Sequence, residues 1–218
     1  MELKGKKINF LGDSITEAHG ASCEEKGYVS LIAKYTGAIC RNYGISGTRY
    51  ARQNPFYEEV RSDRDFCMRV AELDPDADIV VVFGGTNDYG HGSAPVGEFS
   101  DRTHDTFYGA AHVLYRSLIE KFPESTIVVL TPLHRCNEEN PRGDGSKSKD
   151  VAPLKTYVNA IREVAEYYSL RLLDLYATSG VQPNVPVMKE KYMTDGLHPS
   201  DAGHDKLAKQ IISFLKAL

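Results

Sequence analysis

The sequence is most apolar between Asp78 and Gly85, where it reads DIVVVFGG. An uninterrupted run of β-branched and aromatic residues favours a β-strand. The absence of polar residues from both faces of that strand is typical of a strand covered on both sides. Strands of this kind lie inside parallel sheets that have helices packed against both surfaces. We therefore expect this strand to lie in the middle of a parallel sheet.

Shorter apolar runs alternate with helical patterns on both sides of this strand, as they do in βαβ units. The other predicted strands are 7–11, 38–42, 125–132 and 170–175. The predicted helices are 28–35, 64–73, 103–121, 151–168 and 200–218. The pattern predicts one domain over residues 1–218, with an α/β fold built as a three-layer α/β/α sandwich around a five-stranded parallel sheet. Right-handed crossovers favour the flavodoxin-like order 2-1-3-4-5, although the sequence alone leaves that order open.

The composition argues against several classes of protein. Apolar residues make up 41% and charged residues 26%, as in ordinary globular domains and unlike disordered chains. The net charge of -4 gives no reason to expect nucleic acid as a partner, because nucleic-acid binding normally needs a clustered basic surface. The N-terminal apolar run is too short for a signal peptide or a membrane span. We expect no membrane span and a cytoplasmic location.

One polar segment is long for a connection in a compact domain. It runs from His134 to Asp150 and reads HRCNEENPRGDGSKSKD, with glycines and no apolar periodicity. Long connections without secondary structure of their own are commonly functional, for example as lids over active sites. We interpret this segment as a mobile flap beside a ligand site.

Ser14 follows the first predicted strand directly, in the sequence Gly12-Asp13-Ser14. Ligands of open α/β sheets bind outside the carboxyl ends of the strands, so this hydroxyl is placed where a substrate would lie. Serine is a weak nucleophile on its own and needs an adjacent base. A GDS sequence by itself more often marks a helix cap, so the nucleophile interpretation depends on the other strand ends.

Asp195 and His198 are candidates for the base and its partner. They lie three residues apart in DGLHPS, a spacing that lets the carboxylate reach the imidazole of the same turn. In a catalytic triad the carboxylate fixes the tautomer through Nδ1, and Nε2 faces the nucleophile. Pro199 restricts the backbone of His198 to extended conformations, which favours a fixed ring position. Surface hydrogen bonding is the alternative for an isolated DxxH.

An acyl-transfer site also needs hydrogen-bond donors for the oxyanion of the tetrahedral intermediate. Three candidates follow three different strands: the backbone N–H groups of Ser14 and Gly47, and the side-chain amide of Asn87. Gly44 competes with Gly47 for the second position. Ordinary turn chemistry is the alternative for the GGTND sequence around Asn87.

Together these segments resemble the SGNH or GDSL hydrolase family, which is named for Ser, Gly, Asn and His in separate sequence blocks. The matching blocks are FLGDSIT, NYGISGT, GGTND and DGLHPS, and the resemblance extends from Phe10 to His204. It implies a flavodoxin-like fold and metal-independent hydrolysis of esters, often acetyl or other short acyl groups on carbohydrates, sometimes lipids or thioesters. Ile15 departs from the motif, which often has leucine there, but this apolar exchange puts little in doubt.

The resemblance implies a complete set of residue roles. They are the nucleophile Ser14, the general base His198, its orienting partner Asp195, and the oxyanion donors Ser14, Gly47 and Asn87. We also expect Asp13 and Tyr89, inside the first block and beside the third, to contact a small-molecule ester substrate, with acylated carbohydrates as candidates.

We expect neither a metal nor a cofactor, because the remaining histidines form no HxH or HExxH spacing and the glycines form no phosphate-binding motif. Two alternatives stay open. One is a lipid or thioester acylhydrolase with the same mechanism, and the other is a noncatalytic carbohydrate-binding module on the same fold.

Overall fold

Five parallel strands form one sheet in the order β2-β1-β3-β4-β5 in the computed structural model, which describes residues 1–218. They are β1 (Lys7–Gly12), β2 (Ile39–Gly44), β3 (Ile79–Phe83), β4 (Thr126–Leu130) and β5 (Arg171–Leu173). β3 is the central strand, and all of its residues are buried. The predicted order 2-1-3-4-5 and the central place of the most apolar strand are therefore confirmed.

Helices cover both surfaces of the sheet. They are α1 (Tyr28–Thr36), α2 (Phe66–Arg69), α3 (Thr86–His91), α4 (Phe107–Lys121), α5 (Leu154–Tyr167), α6 (Leu175–Thr178), α7 (Pro186–Tyr192) and α8 (Asp201–Ala217). One apolar core lies between the sheet and α1 with α8, and the other lies between the sheet and α4 with α5. Alternate residues of β3 enter the two cores, as the period of a strand requires. The three-layer sandwich is confirmed. None of the helices combines the length and the apolar character that crossing a lipid bilayer demands.

Three predicted helices begin or end differently in the structure, and the one predicted over 151–168 begins at Leu154. The helix predicted over 103–121 begins only at Phe107, because the Thr106 hydroxyl caps it by accepting the N–H of Gly109 at 3.1 Å. The helix predicted over 64–73 is wrong in length. Asp65 caps the short α2, and the chain then tightens into a 3-10 turn over Val70–Glu72 before it becomes extended.

Three short helices were not predicted from the sequence. They are α3, α6 and α7, and none of them exceeds seven residues. α7 has no buried residue, so it lacks the apolar periodicity that identifies longer helices. α3 is almost entirely buried and follows β3 at the carboxyl edge of the sheet, where it carries Asn87.

The polar segment 134–150 is fastened to α3 by hydrogen bonds. The N–H of Asp144 donates to the carbonyl of Gly90 at 2.9 Å. The Lys147 ammonium donates to the carbonyl of Asp88 at 2.9 Å. The segment therefore packs beside the carboxyl edge of the sheet, and its mobility stays a prediction.

A buried arginine ties together the ends of two strands. Arg69 is 1% exposed, and its Nη1 donates to the carbonyl of Gly12 at 3.1 Å and to the Thr48 hydroxyl at 3.0 Å. Its Nη2 donates to the carbonyl of Tyr43. Burial lowers the pKa of Arg69 to about 10, so the group stays charged at neutral pH. The end of β1, the end of β2 and the loop after β2 are thus held by one side chain.

Replacing Arg69 with methionine should lower the free energy of unfolding by about 3 kcal/mol or more. Three acceptors would each lose a hydrogen bond from the charged guanidinium, at about 1 kcal/mol or more each. The matched control is Arg64→Met, which breaks only an exposed ion pair with Glu72 and should cost at most about 1 kcal/mol. Urea denaturation of the two variants measures the difference. Equal losses would show that the buried guanidinium is not needed.

Candidate active site

The candidate residues converge at the carboxyl edge of the sheet. Ser14 comes directly after β1, Gly47 lies in the loop after β2, and Asn87 lies in the first turn of α3 after β3. His198 precedes α8, in a loop whose ends are joined by the isolated bridge between Met193 and Pro199. The parallel arrangement brings these loops to one edge, although they are far apart in sequence.

Ser14, His198 and Asp195 form one continuous hydrogen-bonded chain. The Ser14 Oγ lies 3.0 Å from His198 Nε2, and His198 Nδ1 lies 2.7 Å from Asp195 Oδ2. Because the carboxylate accepts at Nδ1, the proton of the neutral ring belongs on that nitrogen. Nε2 then accepts from the serine hydroxyl. The distances are those expected between a nucleophile, its base and the group that orients the base.

Asp195 is held as a carboxylate by three donors. Its Oδ1 accepts the backbone N–H groups of Leu197 at 2.9 Å and His198 at 2.8 Å, in addition to the ring contact of Oδ2. Partial burial alone would raise the pKa of Asp195, but these hydrogen bonds and the charge of His198 lower it to about 2. Asp195 is therefore ionised at neutral pH and can stabilise an imidazolium.

Two further contacts fix the His198 ring in place. The carbonyl of His198 accepts the N–H of Thr194 at 2.9 Å, which closes the loop. The His19 ring packs against the His198 ring, with 4.3 Å between their centroids. Ser14 is 6% exposed and the His198 side chain 14%, so only a narrow part of the pair faces solvent.

The predicted oxyanion donors are left unused by the fold. The backbone N–H groups of Ser14 and Gly47 donate to no protein atom. Asn87 Nδ2 donates one hydrogen to the carbonyl of Thr48 at 3.0 Å, which leaves its second hydrogen free and joins it to the residue after Gly47. The N–H of Gly44 already donates to Asn42 at 2.8 Å, so the structure favours Gly47 over Gly44.

Glu17 holds the loop that carries Gly47 and was not found by sequence reasoning. Its Oε2 accepts both the N–H of Ser46, at 2.7 Å, and the Ser46 hydroxyl. Its Oε1 accepts from Arg61 at 2.6 Å. Gly47 itself has a φ of +78°, which a residue with a side chain rarely adopts. The direction of the Gly47 N–H is thus set by the glycine and by a carboxylate from the loop after β1.

The sequence matches a known family over most of its length. The model of the GDSL-like Lipase/Acylhydrolase family matches residues 10–206. The chain belongs to this family. A solved structure that is 33% identical covers 100% of the chain and 99% of its own length, with a TM-score of 0.84. A protein from Lactobacillus plantarum is 28% identical, covers 98% of both chains and also has a TM-score of 0.84. The resemblance stated from the four sequence blocks is confirmed.

A more distant solved structure shares the fold. A two-domain esterase described as active on acetylated mannans is 20% identical, with a TM-score of 0.61. The match covers 98% of the present chain and 49% of that esterase. No match was found among curated proteins.

Two predicted substrate contacts of this GDSL-like chain are wrong. Asp13 is 1% exposed, and its Oδ1 accepts the N–H of Ile15 at 3.0 Å. Tyr89 is fully buried, and its hydroxyl donates to the carbonyls of Asn137 and, at 3.1 Å, Asn140. Both side chains point into the protein, so Asp13 supports the turn that carries Ser14 and Tyr89 anchors the segment 134–150.

The burial of Asp13 has a consequence for pH. Desolvation raises the pKa of Asp13 to about 7, against about 3.9 in an unfolded chain. Between these values the native state holds a proton that the unfolded state releases, so stability falls as the pH rises. This contribution is complete below pH 4 and is lost as the pH passes through 7.

Replacing Asp13 with asparagine, which keeps an acceptor for Ile15, should remove this loss. The stability of the variant relative to the parent should therefore increase by a few kcal/mol between pH 4 and pH 8, since one pKa unit corresponds to about 1.4 kcal/mol. Urea unfolding at both pH values measures the change, with the exposed Asp105→Asn as control. A stability difference that does not vary with pH would contradict a buried, protonated Asp13.

Proposed function

We propose that this GDSL-like protein is a serine esterase that cleaves ester bonds through an acyl-enzyme on Ser14. The observation that carries the proposal is the unbroken chain from the Ser14 hydroxyl through His198 to Asp195, with contacts of 3.0 and 2.7 Å. A serine nucleophile, a neutral imidazole and an ionised carboxylate in this order are the components of the serine-hydrolase triad.

In the first half-reaction Ser14 Oγ attacks the ester carbonyl carbon while His198 Nε2 takes the hydroxyl proton. The carbon–oxygen double bond becomes an oxyanion, and Asp195 stabilises the imidazolium that has formed. Collapse of the intermediate breaks the bond to the alcohol oxygen, which receives the proton from Nε2. The product is an acyl-serine and a free alcohol.

In the second half-reaction a water molecule replaces the alcohol. His198 takes one of its protons as the water oxygen attacks the acyl carbon, and a second oxyanion forms. Breaking the bond to Ser14 Oγ returns the proton to the serine and releases the carboxylic acid. The enzyme is regenerated without a metal or a cofactor.

The oxyanion is assigned to the N–H groups of Ser14 and Gly47 and to the amide of Asn87. The two backbone N–H groups are unused in the fold and Asn87 keeps one free amide hydrogen, and preorganised donors of this kind supply much of the rate enhancement in acyl transfer. Their supports come from different loops, because Thr48 fixes Asn87 and Glu17 fixes the residue before Gly47. Little reorganisation is needed when charge develops on the substrate.

We assign a short acyl group, such as acetyl, to the substrate and name acylated carbohydrates as the first class to test. None of the five principal cavities of the surface is lined by Ser14 or His198. A cavity of about 370 Å³ lies beside Glu17 and Gly44, next to the site and not over it. A long acyl chain would therefore find none of these five cavities at the nucleophile. Activity of the two-domain esterase on acetylated mannans gives the carbohydrate class its priority.

Replacing Ser14 with alanine should lower kcat/KM for p-nitrophenyl acetate by about 1,000-fold or more, because the nucleophile is lost. The matched control is Ser213→Ala, on the exposed face of α8, which should keep the parent rate. Circular dichroism checks that both variants are folded. Unchanged turnover in Ser14→Ala would defeat the assignment, and no turnover in the parent would favour a noncatalytic binding module. Activity lost to a chelator and restored by zinc would indicate a metal mechanism.

The short acyl assignment predicts that kcat/KM falls about tenfold or more from acetyl or butyryl to octanoyl esters of p-nitrophenol. Added methylenes gain binding energy only where they bury apolar surface, and none of the five principal cavities is lined by Ser14. The series is measured in parallel with Ser14→Ala to subtract background hydrolysis. Rates that rise with chain length would support the lipid acylhydrolase alternative.

A further inference from the structure

Arg135 is a buried cation for which the protein provides no counter-charge in contact. The residue is 8% exposed, and its Nη1 donates to the carbonyl and the hydroxyl of Thr86, both at 3.2 Å. Its Nε is enclosed and has no partner, while Nη2 donates to no protein atom and is not enclosed. Burying a guanidinium without a paired carboxylate is costly, so its retention needs a reason.

Arg135 lies between the two halves of the candidate active site. Through Nη1 it contacts Thr86, the neighbour of the oxyanion donor Asn87. The next residue, Cys136, donates its N–H to the carbonyl of Gly196 at 2.8 Å, which follows Asp195. The guanidinium therefore contacts the helix of Asn87, and the backbone of the next residue joins the same segment to the loop of His198.

The carboxylates near Arg135 are committed to other groups. Burial is the main influence and lowers the pKa of Arg135, whereas Asp144, Asp195 and Asp13 act against it from beyond ion-pair distance. Asp195 is bound to His198, and Asp144 accepts from Ser146 and faces His91 at 3.3 Å. None of them neutralises the guanidinium by contact.

Comparison with Arg69 separates a structural arginine from one with free binding capacity. Both are buried and both have an unpartnered Nε. Arg69, however, uses both of its Nη nitrogens on protein acceptors. In Arg135, Nη2 has no protein acceptor and is not enclosed, so it is a charged donor that a carboxylate from outside can reach.

We propose that Arg135 binds a carboxylate carried by the ester substrate, and so makes the site selective for anionic esters. This inference rests on the proposed esterase function, because it assigns the anion to the molecule that Ser14 attacks. The charge pairs with the guanidinium only while substrate is bound, and Nη2 is the accessible donor. If Arg135 served only to hold Thr86 and to pack on the Tyr89 ring at 5.3 Å, its replacement would slow the hydrolysis of all esters alike.

The test compares kcat/KM for matched anionic and neutral esters. One pair carries the charge in the alcohol, namely the O-acetylated methyl glycosides of galacturonate and galactose. The other carries it in the acyl group, namely phenyl hydrogen glutarate and phenyl valerate. We expect the parent to prefer the anionic member of at least one pair by about tenfold or more, and the preferred pair shows which half of the substrate lies at Arg135.

In Arg135→Met the anionic-to-neutral ratio for that pair should fall by about tenfold or more, mainly through KM. Arg135→Lys keeps the charge but loses the planar guanidinium, so its anionic-to-neutral ratio should lie between those of the parent and Arg135→Met. Arg142→Met is the control, since Arg142 is exposed and paired with Asp150, and it should leave the ratio unchanged. A ratio that stays constant in Arg135→Met, with both esters slowed equally, overturns the inference while the esterase proposal stands. If Arg135→Met does not fold, the lysine variant decides by the same ratio.

Failure of the esterase proposal is recognised separately, because it would appear as a neutral ester that Ser14→Ala still hydrolyses or that the parent never hydrolyses. In that case calorimetry with galacturonate and glutarate tests Arg135 directly. Binding that is weakened about tenfold in Arg135→Lys supports the carboxylate site. No binding to the parent, or equal binding to the parent and the variant, overturns it.

Discussion

The geometry of the site depends on one buried guanidinium. Arg69 donates to the ends of β1 and β2 and to the Thr48 hydroxyl in the loop after β2, so it sets the spacing between the turn of Ser14 and the loop of Gly47. Parallel strands bring these segments to the same edge, but their pairing does not fix how the loops beyond it approach one another. A rigid, multidentate cation supplies that distance because its donors point in fixed directions.

Arg69 also acts on Asn87, a proposed oxyanion donor, through Thr48. The Thr48 hydroxyl accepts from Arg69, and the Thr48 carbonyl accepts from Asn87. Glu17 adds an independent constraint on the residue before Gly47. The donors for the oxyanion are thus each supported by side chains that bind backbone, and none is supported by another donor. Each proposed donor thus keeps an N–H without a protein acceptor, as electrostatic preorganisation requires.

The strands and their favoured order follow from local apolarity and from the rules for parallel sheets, and the structure confirms both. The proposed triad follows from motifs at strand ends and before the last helix, and its roles stay predictions. The sequence did not predict the direction in which individual side chains point. Asp13 and Tyr89 lie beside the right motifs but point inward, and strand-end position alone does not tell which way a side chain turns. Arg69 and Arg135 were missed for a different reason, since their partners are distant in sequence and a lone arginine has no local sequence signature. α3 was missed because six residues are too few to show helical periodicity.

The three carboxylates of this region differ in charge because they differ in donors and burial. Asp13 accepts one backbone N–H, and burial raises its pKa to about 7. Asp88 accepts the N–H groups of Tyr50 and Ala51, and burial raises its pKa to about 6. Asp195 is half-exposed and accepts three hydrogen bonds, which lower its pKa to about 2. Near neutral pH Asp195 therefore carries a full negative charge where it faces His198. The buried Asp13 and Asp88 carry less negative charge than two ionised carboxylates would. An anionic substrate group at Arg135 would therefore be repelled less than a count of formal charges implies.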